Sequence, residues 1–230
     1  MNFFGHLVIA RDHDGRPPWL LGAMLPDLTV MAGIPGLRGV PGVLGAGVGF
    51  HHVTDEVFHG APAFRELMTR LGRRLAQTGL RRGSARAASH VAIELHLDGV
   101  LAADDDARAA FERAMAFATN SALAPALGWT TEDADRWSRL CARLQDGALV
   151  RGYRDAGFVA ECVLRILKRR PRLAPDEAHA QRLQDVVAAA APEARARANE
   201  LIAAVATSAQ LVEARPDPRL PVAEDPRAVS

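Results

Sequence analysis

Apolar residues recur along this chain at intervals of three and four and almost nowhere in strict alternation, so the pattern predicts helices rather than sheet. A first short helix is predicted over 2–10, carrying His6. Pro17 and Pro18 open a second apolar segment, which runs from Trp19 to Leu25. The residue before a proline avoids the helical region, so Pro26 predicts a break at Leu25, with Asp27 at a turn or opening a new helix. Residues 32–42 (AGIPGLRGVPG) read as a loop built on glycine and proline. Further helices are predicted over 43–59, 62–78, 84–101, 106–119, 131–145, 154–170 and 176–206. The last has few large apolar anchors among its alanines, which predicts a peripheral helix. Beyond Val212 the segment EARPDPRLPVAEDPRAVS carries four prolines and reads as a flexible tail. The expectation is one all-α helical-bundle domain over 1–212, followed by a Pro-rich tail over 213–230.

Composition narrows the function classes. Lys plus Arg number 28 against 27 Asp plus Glu, a net charge of +1, which argues against a dedicated nucleic-acid binder. Hydrophobic residues at 49% and charged residues at 24% exclude wholesale disorder. The low aromatic content of 5% again favours helix over strand. Cys141 and Cys162 are too few for a disulfide scaffold and too far apart for a zinc finger. They read as buried, reduced thiols, and the expected location is the cytoplasm. The apolar start MNFFGHLVIA has no basic leader and runs at once into RDHDGR, so it does not read as a signal peptide. No stretch reads as the continuous apolar run of a membrane helix, so no membrane partner is expected.

Histidine carries the chemistry. Of eight histidines, all but His179 lie in the first 96 residues. In HHVTDEVFH, His51, Asp55 and His59 follow i, i+4, i+8, and His52, Asp55 and His59 follow i, i+3, i+7. In SHVAIELHLDG, His90, Glu94 and Asp98 repeat the i, i+4, i+8 spacing. A lone histidine among apolar residues is an ordinary core residue. Two His/carboxylate stripes, with His6 and Asp27 on apolar flanks, point instead to a shared cation, because a buried carboxylate is costly without one. Imidazole and carboxylate donors without thiolates suit Mn, Fe, Zn or Ni, held by side chains from facing helices. Arg86 lies four residues before His90, and an arginine beside a metal suits a phosphate. No P-loop follows a strand and no G-x-S-x-G elbow is present.

Five segments together resemble the acyl carrier protein phosphodiesterases, helical relatives of the HD-type metal-dependent phosphohydrolases. They are MNFFGHLVIA, LLGAMLPDL, GVGFHHVTDEVFHGAPAF, AIELHLDGVL and LVRGYRDAGFVAECVLRILKRRPRL, in order over about residues 1–173. The resemblance implies an HD-hydrolase-type helical bundle with a divalent metal, manganese first, with Fe, Zn, Ni or Mg as alternatives. It implies hydrolysis of a phosphodiester that releases 4′-phosphopantetheine from acyl carrier protein, or of a related small phosphoester. It carries His6, Asp27, His51, Asp55, Glu94 and Asp98 over as metal ligands. Arg86 falls where the family tends to carry a basic residue. His52, His59 and His90 are the acid/base candidates for the leaving oxygen. Three departures stand out: Gly99 replaces a histidine, His59 stands where an aspartate is common, and His90 is additional. They leave two other expectations open. One is a di-iron oxygenase using His59 and His90, and the other is a non-catalytic helical binding protein with a degraded metal site.

Overall fold

Residues 1–208 are described by the structure, a computed structural model, and the segment expected as a tail over 213–230 lies outside the described residues. Those residues are helical, without strands. The helices are α1 (Phe3–Arg11), α2 (Pro17–Ala32), α3 (Gly42–Gly60), α4 (Pro62–Gln77), α5 (Arg82–Leu101), α6 (Asp105–Ala118), α7 (Leu123–Ala126), α8 (Thr131–Leu144), α9 (Ala148–Gly152), α10 (Ala156–Lys168), α11 (Glu177–Ala188), α12 (Ala191–Ala196) and α13 (Ala198–Ala206). No helix among them is long and apolar enough to cross a membrane.

Local chemistry sets most of the boundaries. Pro17 and Pro62 fall in the first turns of α2 and α4, where a missing N–H costs nothing. Asp104, Asp155 and Asp176 cap α6, α10 and α11 through side-chain oxygens that accept from backbone N–H groups. Thr130 and Asp133 form a reciprocal capping box on α8. Gly33, at φ 70°, closes α2 in the left-handed conformation, and its N–H donates to the carbonyls of Thr29 and Val30.

Two predicted elements are corrected. The break at Leu25 does not occur, and α2 runs on through Pro26 to Ala32. Burial of Trp19, Leu20, Leu21, Met24, Leu25 and Leu28 outweighs the roughly 3 kcal/mol that an interior proline costs. The single helix predicted over 176–206 is three, α11, α12 and α13. Pro192, which cannot donate within a helix, sits in the first turn of α12. Nor are these helices bare of core residues, since Leu183, Val187, Leu201 and Val205 are fully buried.

Backbone contacts group the chain into two compact units, Met1–Gly5 with Val57–Ala103 and Ala148–Ala206, and His6–Glu56 with Asp104–Gly147. In the first, α5 is the central helix and packs against α4, α9, α10, α11 and α12. A Cβ at Gly99 would stand 2.0 Å from the Tyr153 carbonyl oxygen, so only glycine fits where α5 meets this backbone. In the second unit α2 packs against α6 and α8. Two of its three tryptophans are pinned by their indoles: Trp19 Nε1 donates to Ala10 O at 3.0 Å, and Trp137 Nε1 to Ala118 O at 2.8 Å. Cys141 and Cys162 are free and buried, as expected.

Candidate metal centres

Among the described residues the ligand atoms fall into two close groups rather than one group of the six expected ligands. His6, Asp27 and His51 each present a ligand atom within 4.8 Å of the others, and so do His59, His90 and Glu94. The first group lies in the second unit and the second in the first.

The first group depends on a close helix crossing. A Cβ on Gly22 would come within 2.9 Å of the Gly47 Cα, and one on Gly47 within 2.4 Å of the Trp19 carbonyl oxygen. Side-chain-free positions on both helices therefore let the α2 and α3 backbones approach. His51, one turn beyond Gly47, then reaches the Ala23 carbonyl with Nδ1 at 2.9 Å. Because α2 continues through Pro26, Asp27 lies one turn after Ala23 on the same face. His6 comes from α1, and its ring lies against His51 with centroids 3.9 Å apart and 32° between the planes.

Both rings are anchored at Nδ1. A carbonyl only accepts, so His51 Nδ1 carries the proton toward Ala23 O and Nε2 is the nitrogen it offers. Thr54 Oγ1 donates to the α3 backbone, to His51 O at 2.8 Å or Phe50 O at 3.0 Å, and so accepts from His6 Nδ1 at 2.7 Å. His6 thus also offers Nε2. Burial, helped by the neighbouring His6 and outweighing the bond to Ala23 O, pushes the His51 pKa down to about 3, so this imidazole is neutral at physiological pH. Two imidazoles beside a carboxylate, each fixed by a hydrogen bond at its other nitrogen, form a donor set suited to a divalent cation. Asp55, expected as a ligand, is outside this group. Its Oδ1 stands 3.6 Å from His6 Nε2, and its side chain is 37% exposed.

In the second group one carboxylate oxygen gathers the nitrogens. Glu94 Oε1 lies 3.1 Å from His59 Nε2, 3.0 Å from His90 Nε2 and 3.1 Å from the amino group of Met1. Burial raises the Glu94 pKa, but the amino group and the two imidazoles outweigh it and hold the carboxyl below the usual carboxylate range. His59 and His90, expected as acid/base groups, therefore stand with Glu94 as donors. Asp98, expected as a ligand, belongs to neither group. It accepts from the Gly5 N–H at 2.9 Å and from Asn2 Nδ2 at 2.5 Å, and burial pushes its pKa up to about 7. Helix geometry explains both divisions. Each four-residue step turns about 40° past a full turn, so over eight residues His51 and His59, or His90 and Asp98, diverge by about 80°.

The remaining expected residues are exposed. His52 sets its ring edge-on to His51 at 5.4 Å, and Arg86 lies one turn before His90 on α5. Sequence reasoning missed Thr54, whose place in HHVTDEVFH gives it the reach to hold His6. It also missed the Ala23 carbonyl, which leaves no mark in a sequence. A cavity of about 270 Å³ opens elsewhere in the second unit, lined by residues such as Thr119, Asn120, Trp137, Ser138 and Cys141, and none of the six donors borders it. Comparison with protein-family models, curated proteins and solved structures gives no match to this chain.

Proposed function

We propose that this chain is a divalent-metal-dependent phosphoester hydrolase of HD-hydrolase type, acting as the acyl carrier protein phosphodiesterases do. The observation that carries this reading is the His6, Asp27 and His51 group. Its two buried imidazoles are fixed at Nδ1 by Thr54 and Ala23 O and present Nε2 beside a carboxylate. These three residues would hold the cation, manganese first. When bound, it supplies Lewis acidity toward a phosphoryl oxygen and lowers the pKa of water.

The chain's own residues do the rest. The Thr54 and Ala23 contacts hold both imidazoles in one tautomer through the reaction. Asp55 Oδ1, near His6 Nε2 and open to solvent, is the group to take up a proton. Exposed His52, edge-on to His51, is assigned delivery of a proton to the leaving oxygen. The substrate class is a phosphodiester such as the phosphopantetheine linkage of acyl carrier protein, or a small phosphoester.

The test is hydrolysis of bis(4-nitrophenyl) phosphate and of holo-acyl carrier protein by the manganese-loaded protein. Turnover should be abolished by EDTA, restored by manganese, and reduced at least about 100-fold in Asp27→Asn and His51→Gln. Full activity in those variants, or no turnover on either substrate, overturns the reading. A second reading, oxidation at iron, draws support from the pairing of His59 and His90 with Glu94. Dioxygen consumption by the iron-loaded protein tests it.

A further inference from the structure

The His59, His90 and Glu94 group has a geometry of its own. His90 and Glu94 lie one turn apart on α5, and His59 comes from the last turn of α3. The three donor atoms form a nearly equilateral triangle. Its sides are 3.1 Å between the two Nε2 atoms, 3.1 Å from His59 Nε2 to Glu94 Oε1 and 3.0 Å from His90 Nε2 to Glu94 Oε1. In an octahedral site with bonds of about 2.1 Å, neighbouring donors stand about 3.0 Å apart, whereas in a tetrahedral site they stand about 3.4 Å apart. The triangle therefore matches one face of a six-coordinate ion.

The surroundings favour a site that holds its shape. The His59 and His90 rings stack at 4.7 Å with 29° between their planes. Phe64 abuts both edge-on, at 5.1 Å and 5.4 Å, and itself packs on Phe58 at 4.6 Å. Phe58 and Phe64 are buried, so a stiff apolar wall backs the imidazoles. On the other side the donors meet water: the side chains of His59 and His90 are 29% and 38% exposed. Three fixed donors with a solvent-facing opening leave room for exchangeable ligands to complete the shell. Two imidazoles and one carboxylate select a first-row transition ion over magnesium or calcium, which prefer oxygen donors.

We propose that His59, His90 and Glu94 form a second metal site, a two-histidine, one-carboxylate face that binds a divalent first-row transition ion with its remaining positions open to water. This site does not depend on the hydrolase reading, and its test reads binding rather than turnover. Chelator-stripped protein without a polyhistidine tag is titrated with cobalt(II), followed by visible absorption and by metal content after desalting. The wild type should take up two equivalents. His90→Gln should lose one equivalent and keep the other, while His51→Gln should lose the complementary one. Glu94→Gln should match His90→Gln. Should that buried position disturb folding, judged by circular dichroism, partly exposed His59→Gln takes its place. If His90→Gln and His59→Gln both retain the wild-type stoichiometry, hydrogen bonds alone hold the triangle together and the proposal fails. Loss of phosphodiesterase activity with this equivalent intact would sink the hydrolase reading alone.

Discussion

At the residue scale, one hydroxyl decides how a ligand is presented. Thr54 is fully buried, contacts no expected substrate, and holds His6 through a 2.7 Å bond to Nδ1. Thr54→Val keeps the shape and removes the acceptor, which frees the ring to adopt the other tautomer. It should weaken divalent-metal affinity by about 10–100-fold, measured by competition with a chromogenic chelator, while the thermal stability of the metal-free protein changes little. Unchanged affinity would mean that Thr54 plays no part in presenting the ring. The thiols illustrate the opposite case, in which burial silences a reactive group. Burial pushes the Cys141 pKa up to about 12 and raises that of Cys162 as well. Neither should react with a disulfide reagent in the native protein, and both should react in guanidinium. Rapid native labelling would show that the helices around them open readily. These thiols were legible in the sequence, because two cysteines are too few for a disulfide scaffold and these stand too far apart for a zinc finger. Thr54 and the Ala23 carbonyl were not, since nothing local to them shows what crosses overhead.

At the element scale, glycines decide which helices can meet. Gly99 on α5 has no room for a Cβ against the Tyr153 backbone. Gly99→Ala should destabilise the fold by on the order of 3 kcal/mol, because backbone cannot move aside as a flexible side chain can. A Tm lower by roughly 5–10 °C follows, and Gly99→His should be worse still. A Tm unchanged by Gly99→Ala would mean that α5 and the Tyr153 segment separate easily. Most helices were legible because apolar periodicity and caps agree, as at Asp104 before α6 and Thr130 before α8. Pro26 was misread because a local rule was weighed without the burial of Trp19 through Leu28, which only the packed structure supplies. The stripes drawn at i, i+4, i+8 named the right residue types, but a straight line down a helix ignores its drift. His59 and Asp98 therefore ended with neighbours that the spacing could not foresee.

At the scale of the whole molecule, stability should record a carboxyl that the fold keeps protonated. Asp98 has no exposed surface, and burial sets its native pKa near 7 against 3.8 when exposed. Between those two values the native state binds the proton and the unfolded state does not. The contribution is therefore fully present below about pH 4 and is lost as pH rises through 7. The slope approaches about 1.4 kcal/mol for each pH unit, the value of one proton taken up on folding. Asp98→Asn has no charge to bury and lacks this slope. The Tm of the metal-free variant relative to wild type should therefore climb steadily from pH 5 to pH 7.5 and level off above it. Comparing the two proteins at each pH cancels every other titrating group. A difference that stays constant across that range would mean that Asp98 is ionised in the fold. Its bonds from Asn2 and Gly5 would then be holding a buried anion, which would leave the N-terminal residues fixed by charge at every pH in that range.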